Sequence, residues 1–364
     1  MTSTEKKHRI IFIDLMRAFA VVQMVQGHTV NVVLENSSRV SGYPIYSVWY
    51  FMRGMTAPIF LFTAGVVFTY LFRLVDKPFL KNPRVFKGVK RAFLLIFLGY
   101  LLRYPTWSVF DFRYVTDESL KTFYTVDVLH LIGCGLLVLL FLLFISEKFK
   151  LSDYISFVLL SIIIIFITPI IYTINWNNIL PTMLAGYLYP DTGSLFPLFP
   201  WLAYLIMGGV LGSYLAKNPS AFKSVNFSLM LGIVGFGLIL ISMIFDLFTH
   251  ELGYDNIVYS ATPNIVFFRL GFVLVMNSIV SYIALRVDTI PRFIILVGRN
   301  TLLIYVVHLL ILYGSAWNPG VSKIWENAFN GWQSFGAALI MLSLMTLLVL
   351  LIHLFKIRNK QLVT

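Results

Sequence analysis

Asp14-Leu15-Met16-Arg17-Ala18-Phe19-Ala20-Val21-Val22-Gln23-Met24-Val25-Gln26-Gly27-His28 is the stretch that decides the fold of this chain. It lies inside an apolar run from Ile10 to Leu34, long enough to cross a bilayer as a helix. An acid, an arginine and a histidine within such a run are costly in hydrocarbon, so they mark a bundle interior or a wet cavity. Arg17 and His28 are eleven residues apart. At about 100° per residue they return to one face, about 16 Å apart along the axis. Asp14, Met24 and Asn31 share that face, while Gln23 and Gln26 are expected to project elsewhere.

Outward from this stretch the composition is consistent with it. Hydrophobic residues make up 59% of the 364 and charged residues 12%, against about 45–50% and 25% in soluble domains. The expected fold is an all-α polytopic membrane protein of about ten transmembrane helices, forming a single transmembrane domain over 1–364. Apolar runs fall near 10–34, 47–72, 86–104, 125–146, 153–174, 200–216, 227–248, 263–285, 291–314 and 333–355. The first run contains Asp14 and Arg17 and has no small-residue cleavage site, so it reads as a retained helix and not a signal peptide. The single cysteine, Cys134, excludes an intrachain disulfide and a cysteine-rich metal site.

The net charge of +12 points to topology. With a cytoplasmic N-terminus, twenty of the 28 lysines and arginines fall on the inner side, including Lys6, Lys7 and Arg9. Both termini are therefore expected in the cytoplasm, and nucleic acid is not an expected partner. Depths follow from this topology. Arg17 lies in the inner half, whereas His28, Asn31, Arg53, Asp127, His130 and Arg269 come from four helices at similar outer depth. Groups of this kind must face one another or water, which predicts a polar chamber opening outward. On the inner side Lys87, Lys90 and Arg91 share one helix face. They serve either retention and anionic lipid contact or the phosphates of a cytosolic cofactor. Arg299, Asn300, Tyr305 and His308 form a further polar series, with His308 either hydrogen-bonded within the structure or functional. The loop from Asn175 to Pro200 is expected to fold over the chamber. No glycine-rich phosphate loop or metal-ligand motif is present.

Asp14, Arg17 and His28 at these spacings resemble the start of the transmembrane acyltransferase superfamily, which includes the acyltransferase-3 and heparan-α-glucosaminide N-acetyltransferase-like families. Ala57-Pro58-Ile59-Phe60-Leu61-Phe62-Thr63-Ala64-Gly65 is similar to the second-helix signature of these proteins. Three further segments resemble the heparan-type branch: Val126-Asp127-Val128-Leu129-His130-Leu131-Ile132-Gly133, Phe199-Pro200-Trp201-Leu202-Ala203-Tyr204, and Gly298-Arg299-Asn300 through Val307-His308. The chain departs from the acyltransferase-3 pattern at Thr63-Ala64-Gly65 and at Lys90-Arg91. The resemblance implies a ten-helix acyltransferase that uses acyl-coenzyme A, acetyl-CoA above all. The implied acceptor is a carbohydrate or envelope glycan beyond a bacterial cytoplasmic (inner) membrane.

Combined with the chamber, this gives a set of expected roles. His28 is the general base or the acyl carrier, with Asp127 and His130 as catalytic companions. Arg17, Lys87, Lys90 and Arg91 bind the cofactor. Asn31, Arg53, Arg269, Tyr305 and His308 bind substrate, and no metal is expected. Partners are acyl-CoA, the acceptor and the lipid bilayer, with a homo-oligomer left open. The alternative is a secondary transporter whose intramembrane charges bind an anionic solute.

Overall fold

In a computed structural model, residues 10–40, 42–251, 262–287 and 289–361 are described. Lys6, Lys7 and Arg9, which entered the charge count above, lie outside them. The helices are α1 (Ile11–Val33), α2 (Pro44–Arg73), α3 (Pro83–Leu102), α4 (Asp117–Tyr124), α5 (Val128–Lys148), α6 (Asp153–Thr173) and α7 (Thr182–Ala185). They continue with α8 (Leu198–Lys217), α9 (Val225–Glu251), α10 (Pro263–Arg286), α11 (Arg292–Arg299), α12 (Thr301–Leu312), α13 (Ser322–Trp325) and α14 (Gly331–Gln361). A short hairpin, β1 (Gly314–Ser315) with β2 (Asn318–Pro319), follows α12.

The chain is an all-α polytopic membrane protein. Among the described residues, seven stretches are long and apolar enough to cross a bilayer: α2, α4 with α5, α6, α8, α9, α10 and α14. The pair α11–α12 makes an eighth if counted as one span. Isoleucines and leucines exposed along α9 and α14, such as Ile233, Leu240, Ile340 and Leu347, are reasonable only against lipid. Residues 291–314 read as one span in the sequence, but here they break into α11 and α12, bent by 77°. The break falls at Asn300, whose backbone leaves the helix (φ −105°, ψ 31°) and whose side-chain amide donates to the Leu296 carbonyl at 2.7 Å. A short amide that competes for a helix carbonyl is a physical cause of such a break.

α1 is the central element, packed against α2, α10, α11, α12 and α14. Its C-terminal end is held by Arg39, which donates to the carbonyls of Asn31 and Leu34 at 2.9 and 2.7 Å and to the Asn327 side chain at 2.7 Å. The apolar core divides into two masses. One gathers α2, α5, α6, α8 and α10, the other α3, α11, α12 and α14, and α1 contributes to both. Within the first mass α2 and α8 pack backbone to backbone. A Cβ on Gly65 would run into the Leu205 carbonyl, and one on Gly208 into the Phe62 carbonyl. Small residues permit this approach where water supplies no driving force for helix association. Elsewhere Arg73 on α2 grips Asp153 at the start of α6 with two bonds of 2.8 and 2.5 Å, and Ser213 on α8 adds a third at 2.9 Å. Fork-on-carboxylate geometry of this kind is the stronger form of ion pair.

Gly208→Val is expected to lower the thermal unfolding midpoint in detergent, at a cost of at least about 1–3 kcal/mol from overpacking. Gly237→Ala, where an added Cβ meets open space, is expected to leave the midpoint within error.

Candidate functional site

The two apolar masses leave a cavity of about 1410 Å³ at their seam, larger than the roughly 300–1,000 Å³ of ordinary small-molecule sites. It follows α2 from Tyr50 to Leu71, a run of about 32 Å at 1.5 Å per residue. That length compares with a hydrocarbon core about 30 Å thick. The walls come from α1, α2, α3, α5 and α12, and Leu195 and Phe196 of the loop before α8 close one side. That loop is anchored where both of their amides reach the Val126 carbonyl at 3.1 Å, while the Val126 amide donates to Ser194 Oγ, also at 3.1 Å.

One end of the cavity carries Arg17, Arg91 and Thr301, and the other His28, Asn31, Arg53, Asp127, Arg269, Tyr305 and Tyr313. Two hydrogen bonds zip α1 to α12 along its length. Arg17 Nη2 donates to Thr301 Oγ1 at 3.1 Å, and His28 Nδ1 meets the Tyr313 hydroxyl at 3.2 Å. Because these pairs are eleven and twelve residues apart on their own segments, α12 runs parallel to α1 and presents Tyr305 and Tyr313 beside the histidine. Of the expected polar face of α1, Arg17, Met24, His28 and Asn31 line the cavity and Asp14 does not. Gln23 also lines the cavity, and its side chain accepts from Gln26 at 2.7 Å while Trp49 Nε1 donates to Gln26 at 2.8 Å. A chain from the Trp49 indole on α2 through the Gln26 amide draws Gln23 inward.

His28 is half-buried, edge-on to Tyr313 and 5.4 Å from the His308 ring. With Nδ1 engaged by Tyr313, its Nε2 has no hydrogen-bond partner among the described residues. Asp127 is in the opposite condition. It caps α5, its Oδ1 accepts from the Val128 amide at 2.5 Å and from Tyr305 at 2.9 Å, and its Oδ2 accepts from Arg103 at 3.2 Å. A carboxylate with its lone pairs occupied is a strut and a poor proton acceptor.

His130 is buried behind this strut and does not line the cavity. Its Nδ1 accepts from the Asp127 amide at 3.1 Å to complete a capping box, and its ring packs edge-on to Tyr100 at 4.3 Å. Gly99 makes the room, since a Cβ there would come within 2.5 Å of the imidazole. Tyr187, bonded to Tyr100 at 2.9 Å, closes over it, and burial together with that bond pushes the Tyr187 hydroxyl above the ordinary tyrosine range.

His308 also lies off the cavity wall, buried, with Nδ1 donating to the Ile304 carbonyl at 2.7 Å. Lys87 and Lys90 are exposed and outside the lining, so Arg91 alone of that basic face reaches the cavity. Arg103 and Tyr313 escaped the sequence reading. Arg103 stands just past the end of α3, and Tyr313 reaches His28 only through a contact of very long sequence separation. The capping box was signalled by the three-residue spacing of Asp127 and His130.

The family model for the catalytic region of heparan-alpha-glucosaminide N-acetyltransferase matches residues 9–249. Among curated proteins there is no match. The matched span contains α1 through α8 and nearly all of α9, hence Arg17, His28 and the Asp127 strut.

Tyr305→Phe and Arg103→Met each leave Asp127 short of a partner and are expected to cost about 1–3 kcal/mol in thermal unfolding. The combination Arg103→Met with Asp127→Asn should cost less than the sum of its single changes, as groups in one network couple.

Proposed function

The chain belongs to the heparan-alpha-glucosaminide N-acetyltransferase family, and we propose that it moves an acetyl group across a membrane, from cytosolic acetyl-CoA to the amine or a hydroxyl of a glucosamine-like sugar. The observation that carries this reading is the cavity that follows α2 for the thickness of a bilayer, with Arg17 and Arg91 at one end and His28 toward the other. α1 and α3 have 23 and 20 residues but are diluted by Asp14, Arg17, Arg84, Lys87, Lys90 and Arg91. Counting both beside the eight apolar spans gives ten crossings in one transmembrane unit with both termini cytoplasmic. A bacterial cytoplasmic membrane suits this arrangement, because acetyl-CoA is on one side and envelope glycans on the other.

In this reading Arg17 and Arg91 hold the donor's phosphates at the cytosolic mouth by charge and forked hydrogen bonds. Lys87 and Lys90, exposed on the same helix, draw the anion toward the entrance. The apolar middle, lined by Phe60, Val67, Phe68 and Ile132, accepts the pantetheine arm and excludes water. His28 is the general base. Its Nε2 takes the proton from the acceptor amine or hydroxyl as that atom bonds to the thioester carbonyl carbon. The Asn31 amide faces the oxygen on which charge develops. When the carbon–sulfur bond breaks, the imidazolium returns the proton to the departing thiolate, so the histidine ends as it began. Tyr313 orients the ring through Nδ1, and the Asp127–Arg103–Tyr305 strut keeps α12 at the right distance. His130 supports that strut, and His308 packs behind His28.

His28→Ala is expected to lower acetyl transfer by about 10²–10⁴-fold while leaving acetyl-CoA binding intact in a filter or calorimetric assay. Transfer retained at the unsubstituted rate in this variant would contradict the assignment. Arg17→Gln and Arg91→Gln are expected to raise the KM for acetyl-CoA by about tenfold each, with a smaller effect on the acceptor.

A further inference from the structure

The His28 end of the cavity holds two arginines that pair with neither of the cavity's acids, Asp127, which is taken by Arg103, and Glu118. Arg53 on α2 and Arg269 on α10 both line it, and among the described residues neither is in ion-pair range of a carboxylate. They stand at one level, because Phe51 packs edge-on to Phe268 and Phe272, with ring centroids 6.0 and 5.4 Å apart. Arg269 lies over the Trp201 ring at 5.3 Å and beside the buried Tyr204 hydroxyl, and no carboxylate among the described residues meets its buried Nε and Nη1. Arg53 crosses α1 at Gly27, where a Cβ would stand 3.5 Å from its stem, and its guanidinium lies over Trp49 at 5.8 Å. It therefore sits directly beside His28.

Stacking on a ring compensates a guanidinium only in part. A buried donor without an acceptor costs about 1–3 kcal/mol, and more when charged. At membrane depth such groups persist where they serve a ligand. Two planar forks converging on one cavity match the geometry of a carboxylate or phosphate. Arg269 lies beyond residue 249, so the family match does not account for it.

We infer that Arg53 and Arg269 form an anion subsite, and that the acceptor sugar carries a carboxylate or phosphate held there while its amine or hydroxyl meets His28. This rests on the transfer reading above for its acceptor, although the subsite itself can be read without any transfer. A phospholipid headgroup offers the same chemistry and is the competing source.

The test uses the full chain in nanodiscs of neutral phosphatidylcholine with acetyl-CoA as donor. Methyl α-glucosaminide and α-glucosamine 1-phosphate are compared as acceptors. The phosphate-bearing sugar is expected to be used better by about tenfold or more in kcat/KM. Arg53→Gln and Arg269→Gln should collapse that ratio, and Arg269→Lys should retain part of it. Inorganic phosphate alone should raise the thermal unfolding midpoint of a chain carrying Arg17→Gln and Arg91→Gln, in which the donor's phosphate contacts are gone, and not that of the same chain with Arg269→Gln added. This readout needs no acetyl transfer, so it stands or falls apart from the enzymatic reading. Equal use of the two sugars overturns the inference and leaves transfer intact, and this comparison requires no variant to fold. If phosphatidylglycerol in the nanodisc abolishes the phosphate-induced shift, the subsite belongs to lipid and the inference is overturned.

Discussion

A charge within a bilayer must be met by another charge, by a set of hydrogen bonds or by water, and each part of this structure follows from how that demand is answered along α1. Asp14, Arg17, Gln23, His28 and Asn31 occupy a helix that is otherwise apolar. Such a helix cannot face lipid, so it sits in the middle of the bundle with α2, α10, α11, α12 and α14 around it. The polar wall cannot be packed against hydrocarbon side chains without the same desolvation cost. The helices opposite therefore stand off, and the seam between the two apolar masses stays open as a cavity.

Within that cavity the polar groups fall into two conditions. Asp127 is satisfied on every side, and the bonds that satisfy it tie α5 to the end of α3 and to α12. Removing any one of them leaves a buried charge short, which is why the cluster is rigid. His28 has one nitrogen fixed and one uncommitted, and Arg53 and Arg269 have donors to spare. The first group holds helices together, and the proposed chemistry draws on the second. Close helix contacts at Gly65, Gly208 and Gly99 hold the two groups in register without adding polar atoms.

Much of this was legible in the chain because it depends on short-range periodicity. The spacing of Arg17 and His28 put them on one face, and runs of apolar residues located every long helix to within a few residues. Arg17, His28, Arg53, Asp127 and Arg269, which the cavity gathers from α1, α2, α10 and the start of α5, stood out as ionisable groups where charge is expensive. What was missed depends on partners far away in sequence or on local competition for hydrogen bonds. Tyr313 becomes notable only once α12 lies parallel to α1. Arg103 falls in the last turn of the third apolar run, where a basic residue is ordinary at a span end and nothing nearby in sequence marks Asp127 as its partner. His130 has the same residue type as His28 and a similar depth, yet its backbone bond to Asp127 turns it away from the cavity. The bend at Asn300 is invisible to hydropathy, since both flanking segments are apolar.

The central claim is that donor and acceptor meet through one passage from opposite sides of the membrane. Its most direct test is transfer in sealed proteoliposomes of uniform orientation, with radiolabelled acetyl-CoA outside at the cytosolic face and a membrane-impermeant glucosamine acceptor trapped inside. The account predicts labelled acceptor in the lumen with no acetyl-CoA entering. Transfer that occurs only when donor and acceptor share one side of the membrane would contradict it.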